Sequence, residues 1–137
     1  GHEIAHAIAE HGNERMSQGI AAQGLGVVLN AATLDQDPKA RTLFLSAYGV
    51  GSQLGMLAFG RRQESEADKI GLIFSSMAGY NPEVAPGFWE RMRGASKGGS
   101  PPEFLSTHPS HDRRIHDLNA IMPRARKIYQ ENQSRYD

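Results

Sequence analysis

The sequence has no cysteine. That excludes disulfides, zinc-thiolate clusters and cysteine nucleophiles. It leaves the cytosol and the periplasm equally open as compartments. Net charge is lacking too, with 15 Lys and Arg against 15 Asp and Glu. A general nucleic-acid binder draws its affinity from excess Lys and Arg, so the balance speaks against that class. No segment alternates like a half-buried strand, and the expected fold is mainly α-helical. No repeat or domain boundary is visible, and 137 residues suit a single domain over 1–137. No methionine opens the chain and no signal peptide is visible. Gly1 stands directly before a motif, so the sequence reads as a fragment whose targeting signal would lie in a missing leader.

Charge is also missing locally, from Thr42 to Gly60. That length meets the crude criterion for a transmembrane helix. Gly49, Gly51, Gly55, Ser46, Ser52 and Gln53 make the stretch only mildly apolar. If His6 and Glu64 share a metal, a single span between them would put them on opposite sides of a membrane. A return span in Gly24 to Leu34 has about half the needed length. The expectation is a buried or membrane-facing helix, with peripheral membrane association, rather than a bilayer hairpin.

The rest punctuates readily. Helical spacing runs through Gly1 to Ala22, with a break expected near Gly12 and Asn13. Asp35 to Lys39 is polar punctuation. Arg62 to Ala78 reads as a helix of its own. Asn81 and Pro82 suit the N-cap and first residue of the next helix, although Pro86 argues for a later start. Ala95 to Pro102 reads as a loop. Ser110 suits the N-cap of a last helix, which Pro123 is expected to divide from the tail.

With no thiol, any metal must be held by His, Asp or Glu, and there are six histidines. His2-Glu3-Ile4-Ala5-His6 spells HExxH. Residues i and i+4 share a helix face, so His2 and His6 can reach one cation. Glu3 lies beside them, placed to act as a general base on a water at the metal. A catalytic zinc site needs a third protein ligand and an open position. Glu64 and Asp68, again at i and i+4, offer a ligand and a partner for a histidine's outer N–H. Gly71 continues that line and permits close helix packing. The bland alternatives are a surface helix with two histidines and an exposed acidic face, which is where Glu66 is expected.

The pairing of HEIAH with Arg61-Arg62-Gln63-Glu64-Ser65-Glu66-Ala67-Asp68 resembles the M48 metallopeptidases, the Ste24/HtpX-like gluzincins. Their second motif reads S-R-x-x-E-x-E-A-D, and only Gly60 departs from it here. Thr107-His108-Pro109-Ser110-His111-Asp112-Arg113-Arg114-Ile115 is similar to their T-H-P-x-x-x-x-R-I block. The resemblance implies a zincin-like core with Zn2+ on His2, His6 and Glu64, and with Glu3 as base. It also implies that His108 approaches the open position, either blocking it or donating to the oxyanion. Arg114 would pair with a carboxylate near the metal or with substrate, its blander role being a surface arginine. His11, His111 and His116 have no place in the pattern and are expected at the surface or in packing.

The likeness is to soluble bacterial envelope members of the BepA and LoiP type. It implies a zinc endopeptidase acting on unfolded or damaged polypeptides, in the bacterial periplasm or at the outer membrane, with a mitochondrial compartment as the alternative. An edge strand that binds substrate in such folds would lie ahead of Gly1, outside this chain. The rival class is a non-catalytic zinc-binding module of chaperone-like or scaffold type.

Overall fold

A computed structural model of the chain describes residues 1–96 and 107–133. Its described residues form five helices and no strand: α1 (His2–Ile8), α2 (His11–Ala32), α3 (Pro38–Met77), α4 (Val84–Ala95) and α5 (His111–Gln133). Most of the loop expected at Ala95 to Pro102 lies outside them.

The break after the first helix comes earlier than Gly12. Ala9 ends α1, and Glu10 takes a left-handed conformation with φ 54°. The long apolar segment that follows is one helix, not a helix and a separate Gly-containing run. The third helix differs more from expectation. It runs unbroken for 40 residues, about 60 Å of rise. It joins the charge-free stretch to the acidic motif across Gly60, where glycine costs a helix only about 1 kcal/mol. Its start follows local rules closely. Pro38 occupies the first turn, and the Asp37 carboxylate accepts from the backbone N–H of Lys39 and Ala40 at 3.1 and 3.0 Å.

At the start of α4, Asn81 accepts from the N–H of Glu83 at 3.0 Å, a local turn rather than a helix cap. Pro82 is buried before the helix, and Pro86 then falls in the first turn, where its missing N–H costs nothing. Ser110 accepts from the N–H of Arg113 at 3.2 Å, as an N-cap should. Pro123 does not end α5. It sits on the exposed side, while Met122 and Ala125 on either side are buried in the core.

The core is small and lies at one end. Leu72 of α3 packs with Leu118, Met122 and Ala125 of α5, flanked by Trp89 and Ala85 of α4. The opposite end is a hairpin of α2 against the first half of α3. No residue between 12 and 62 is buried. The stretch from Thr42 to Gly60 is therefore not the buried helix that was one of its two expected forms.

Glycine matters at one point for the site. A Cβ on Gly71 would meet the His2 backbone N at 2.9 Å and the Gly1 carbonyl carbon at 3.0 Å. The bare Cα lets the start of α1 lie directly on α3. That approach aims the first motif at the second.

Candidate metal centre

Three nitrogen or oxygen atoms from two helices converge. Nε2 of His2 and Nε2 of His6 are 3.1 Å apart. The Glu64 carboxylate lies 3.4 Å from the first and 3.1 Å from the second. A tetrahedral zinc ion with bonds of about 2.0–2.1 Å holds its ligands at about 3.3–3.4 Å from one another. The observed spacings match that edge closely enough that small shifts would seat an ion. The donor set, two imidazoles and one carboxylate, is that of catalytic zinc sites with one position left over.

The outer faces of the two imidazoles are both engaged. Nδ1 of His2 donates to Asp68 Oδ1 at 2.8 Å. That bond leaves Nε2 of His2 with its lone pair turned toward Glu64 and His6. Nδ1 of His6 faces Nδ1 of His11 at 2.9 Å. Nε2 of His11 in turn lies 3.5 Å from the Glu66 carboxylate. His11 is buried, at 2% exposure. His11 thus gives the second imidazole a partner at its outer nitrogen, while its own buried Nε2 makes no hydrogen bond. Sequence reasoning missed His11 because a straight helix would carry residue i+5 well off the face of His6. The left-handed Glu10 swings it back, and no spacing rule signals such a break at a glutamate. His111 is likewise buried, stacked on Trp89 at 5.6 Å, while His116 is exposed and pairs with Asp117.

Charge explains much of the rest. Glu64 and Asp68 face inward together, and Arg114 lies between them, 3.1 Å from Glu64 and 3.4 Å from Asp68. Arg114 is only 5% exposed, so the surface alternative does not hold. Its guanidinium sits 4.2 Å over the Trp89 ring, a cation–π contact that adds to the desolvated pairings. Arg15 reaches Glu64 at 3.5 Å from the other side and is half exposed. Burial raises the Glu64 carboxyl, but His6, His2, Arg114 and His108 outweigh it and hold it below the ordinary carboxylate value. Burial raises Asp68 above that value even against Arg114 and His2. Burial is also the main cause that lowers His6, toward the neutral form a metal requires. Asp68 Oδ2 and Arg114 Nε, both buried, face each other as the 3.4 Å ion pair and make no hydrogen bond.

These residues line a cleft of about 1060 Å³. Glu3 lines it as well, exposed and one residue beyond His2 on α1. His108 lines it from the segment before α5, half-buried, with Thr107 Oγ1 at 2.7 Å from its Nδ1. Phe88 and Trp89 provide an apolar wall. The geometry thus brings together all seven residues singled out in the sequence: His2, Glu3, His6, Glu64, Asp68, His108 and Arg114.

The model of peptidase family M48 matches residues 1–122. The mitochondrial metalloendopeptidase OMA1 of Schizosaccharomyces pombe is 38% identical over 125 residues, which cover 90% of this chain and 35% of that protein. The human metalloendopeptidase OMA1 is 36% identical, over 93% of this chain and 26% of its own length. The β-barrel assembly-enhancing protease of Escherichia coli is 31% identical, over 85% of this chain and 25% of its own length. The chain therefore spans about a third or less of these relatives. No solved structure gives a significant match. With the family match running through both motifs and the first half of α5, the chain belongs to peptidase family M48.

Proposed function

We propose that this chain carries the catalytic core of a zinc-dependent metalloendopeptidase acting on unfolded or damaged polypeptides. The observation that carries the reading is the convergence of His2, His6 and Glu64, whose donor atoms all lie within 4.8 Å of one another, at a cleft that Glu3 also lines. Zn2+ held by these three residues would supply a Lewis acid that polarises a peptide carbonyl and makes water a nucleophile near neutral pH.

Every other part of the reaction falls to the protein. Glu3 takes the proton from water as it attacks the carbonyl carbon. It then returns that proton to the amine as the carbon–nitrogen bond breaks. Asp68 and His11 fix the two imidazoles in the tautomers that leave Nε2 free to bind metal. Arg114 holds Glu64 and Asp68 ionised and in place. His108, which lines the same cleft, would fill the remaining position, or withdraw and donate to the developing oxyanion.

The non-catalytic alternative accounts for less. A closed structural zinc site takes four protein ligands. Three converge here among the described residues, and Glu3, which such a site would not need, stands beside them. Relatives named from mitochondria and from a bacterium support a compartment of either kind, the bacterial envelope or the mitochondrion.

Metal removal tests the proposal. Full-length natural protein should cleave an unfolded polypeptide such as reduced, alkylated casein. It should lose that activity on dialysis against a zinc chelator and recover it with stoichiometric Zn2+. Cleavage that persists in chelated protein with no residual zinc would contradict the reading.

A further inference from the structure

Helix α4 is apolar on two faces, and folding uses only one of them. Ala85 and Trp89 pack against the core cluster, and Pro86 is buried beside them. Val84, Phe88 and Met92 stand four apart in the same helix, so they share the neighbouring face. That face stays open, with Val84 64%, Phe88 47% and Met92 42% exposed. Single exposed apolar residues are ordinary, whereas a row of large ones along one helix face has the form of a binding surface.

All three line the cleft that holds the converging donor atoms, as does the exposed ring of Tyr80 ahead of the helix. Direct contacts tie the row to those atoms. Arg114 lies 3.1 Å from Glu64, its guanidinium is 4.2 Å over the Trp89 ring, and the Trp89 and Phe88 rings meet edge to face at 5.1 Å. Those steps place Phe88 within roughly four residues of extended chain, at about 3.3 Å each, of Glu64. Ion pairs join both ends of α4 to α5, Glu83 with Arg126 and Arg93 with Asp112. The wall is therefore in place before anything binds, and little ordering is required of it.

A polypeptide that reaches the metal centre has to enter this cleft and pass the row. The row offers methyl groups, a phenyl ring and a thioether, and no charge. Large apolar side chains gain by leaving water against such a surface. Folded proteins keep most of those side chains inside, and unfolded chains expose them.

We infer that the Val84, Phe88 and Met92 face of α4 is the specificity surface of this cleft. It grips a large apolar side chain of the substrate within about four residues of the scissile bond, and so selects unfolded polypeptides. The inference rests on the metallopeptidase reading and supplies its substrate rule.

The test uses full-length natural protein and two fluorescein-labelled, unstructured peptides of Gly, Ser, Asn and Lys. One carries a single central Leu, and the other has Ser in its place. The Leu peptide should be cleaved with about 10- to 100-fold higher kcat/KM, at bonds that mass spectrometry locates near the Leu. Phe88→Ser should bring that ratio toward 1, and Phe88→Leu should restore most of it. Val84→Ser, at a second exposed position outside the core, should lower the ratio as well. Fluorescence anisotropy with Glu3→Gln protein repeats the comparison on binding alone. A Leu preference in binding without any cleavage by wild type would support this surface and fail the peptidase reading instead. A ratio near 1 in wild type, or one unchanged in both Phe88→Ser and Val84→Ser, would overturn the inference. So would a Met92→Cys thiol that maleimide cannot reach in the free folded protein, since another segment would then cover the row.

Discussion

Glu3→Gln should lose about 100- to 10,000-fold in kcat/KM on an unfolded substrate while keeping its metal. The amide preserves shape but cannot accept a proton. Glu3 lines the cleft with an exposed side chain. Its replacement should leave the ligand set intact and shift stability by no more than about 0.5 kcal/mol. Steady-state cleavage, metal analysis and thermal unfolding on the same preparation separate these effects. Cleavage at the wild-type rate would remove Glu3 as the base. Loss of metal along with activity would move its role from proton transfer to the ligand set.

Arg114→Ala should be strongly destabilising, by about 3–5 kcal/mol in metal-free protein. It strips a buried guanidinium from two inward carboxylates, at 3.1 and 3.4 Å, and removes the cation over Trp89. Asp68, already raised by burial, would lose the first of the groups that oppose that rise. Arg114→Lys should recover only part of the loss, since an ammonium cannot serve both carboxylates and stack on the ring as a guanidinium does. A cation on Glu64 supplies compensating positive charge, so saturating Zn2+ should narrow the gap between variant and wild type. Denaturant unfolding with and without metal measures all three quantities. A midpoint equal to the wild type's in metal-free Arg114→Ala would show that these ion pairs contribute nothing to stability.

The parts of the site carried by short-range geometry were legible in the sequence. The i and i+4 pairs His2–His6 and Glu64–Asp68 need only a helix, and Gly71 marks where two helices touch. Ser110 and Asp37 cap their helices in the ordinary way. What escaped depends on tertiary context. Arg62 to Ala78 reads as a helix of its own, yet both halves of α3 are held, one by the hairpin and one by the core. Pro123 reads as a divider, yet the buried residues on either side carry α5 through it. The blander role of Arg114 was overturned by carboxylates 50 and 46 positions away in sequence, which no local pattern reveals. His11 escaped because the break that returns it to His6 falls at Glu10, not at the glycine two residues on.

The central claim is that His2, His6 and Glu64 form one metal site. Metal content of full-length protein, by mass spectrometry after exhaustive dialysis, tests it most directly. Wild type should retain about one zinc per chain for a single site of this kind. Glu64→Gln should lose it, and Glu131→Gln, whose side chain is 58% exposed and pairs with Lys127, should keep it. Zinc retained in Glu64→Gln, or lost only in Glu131→Gln, would contradict the account.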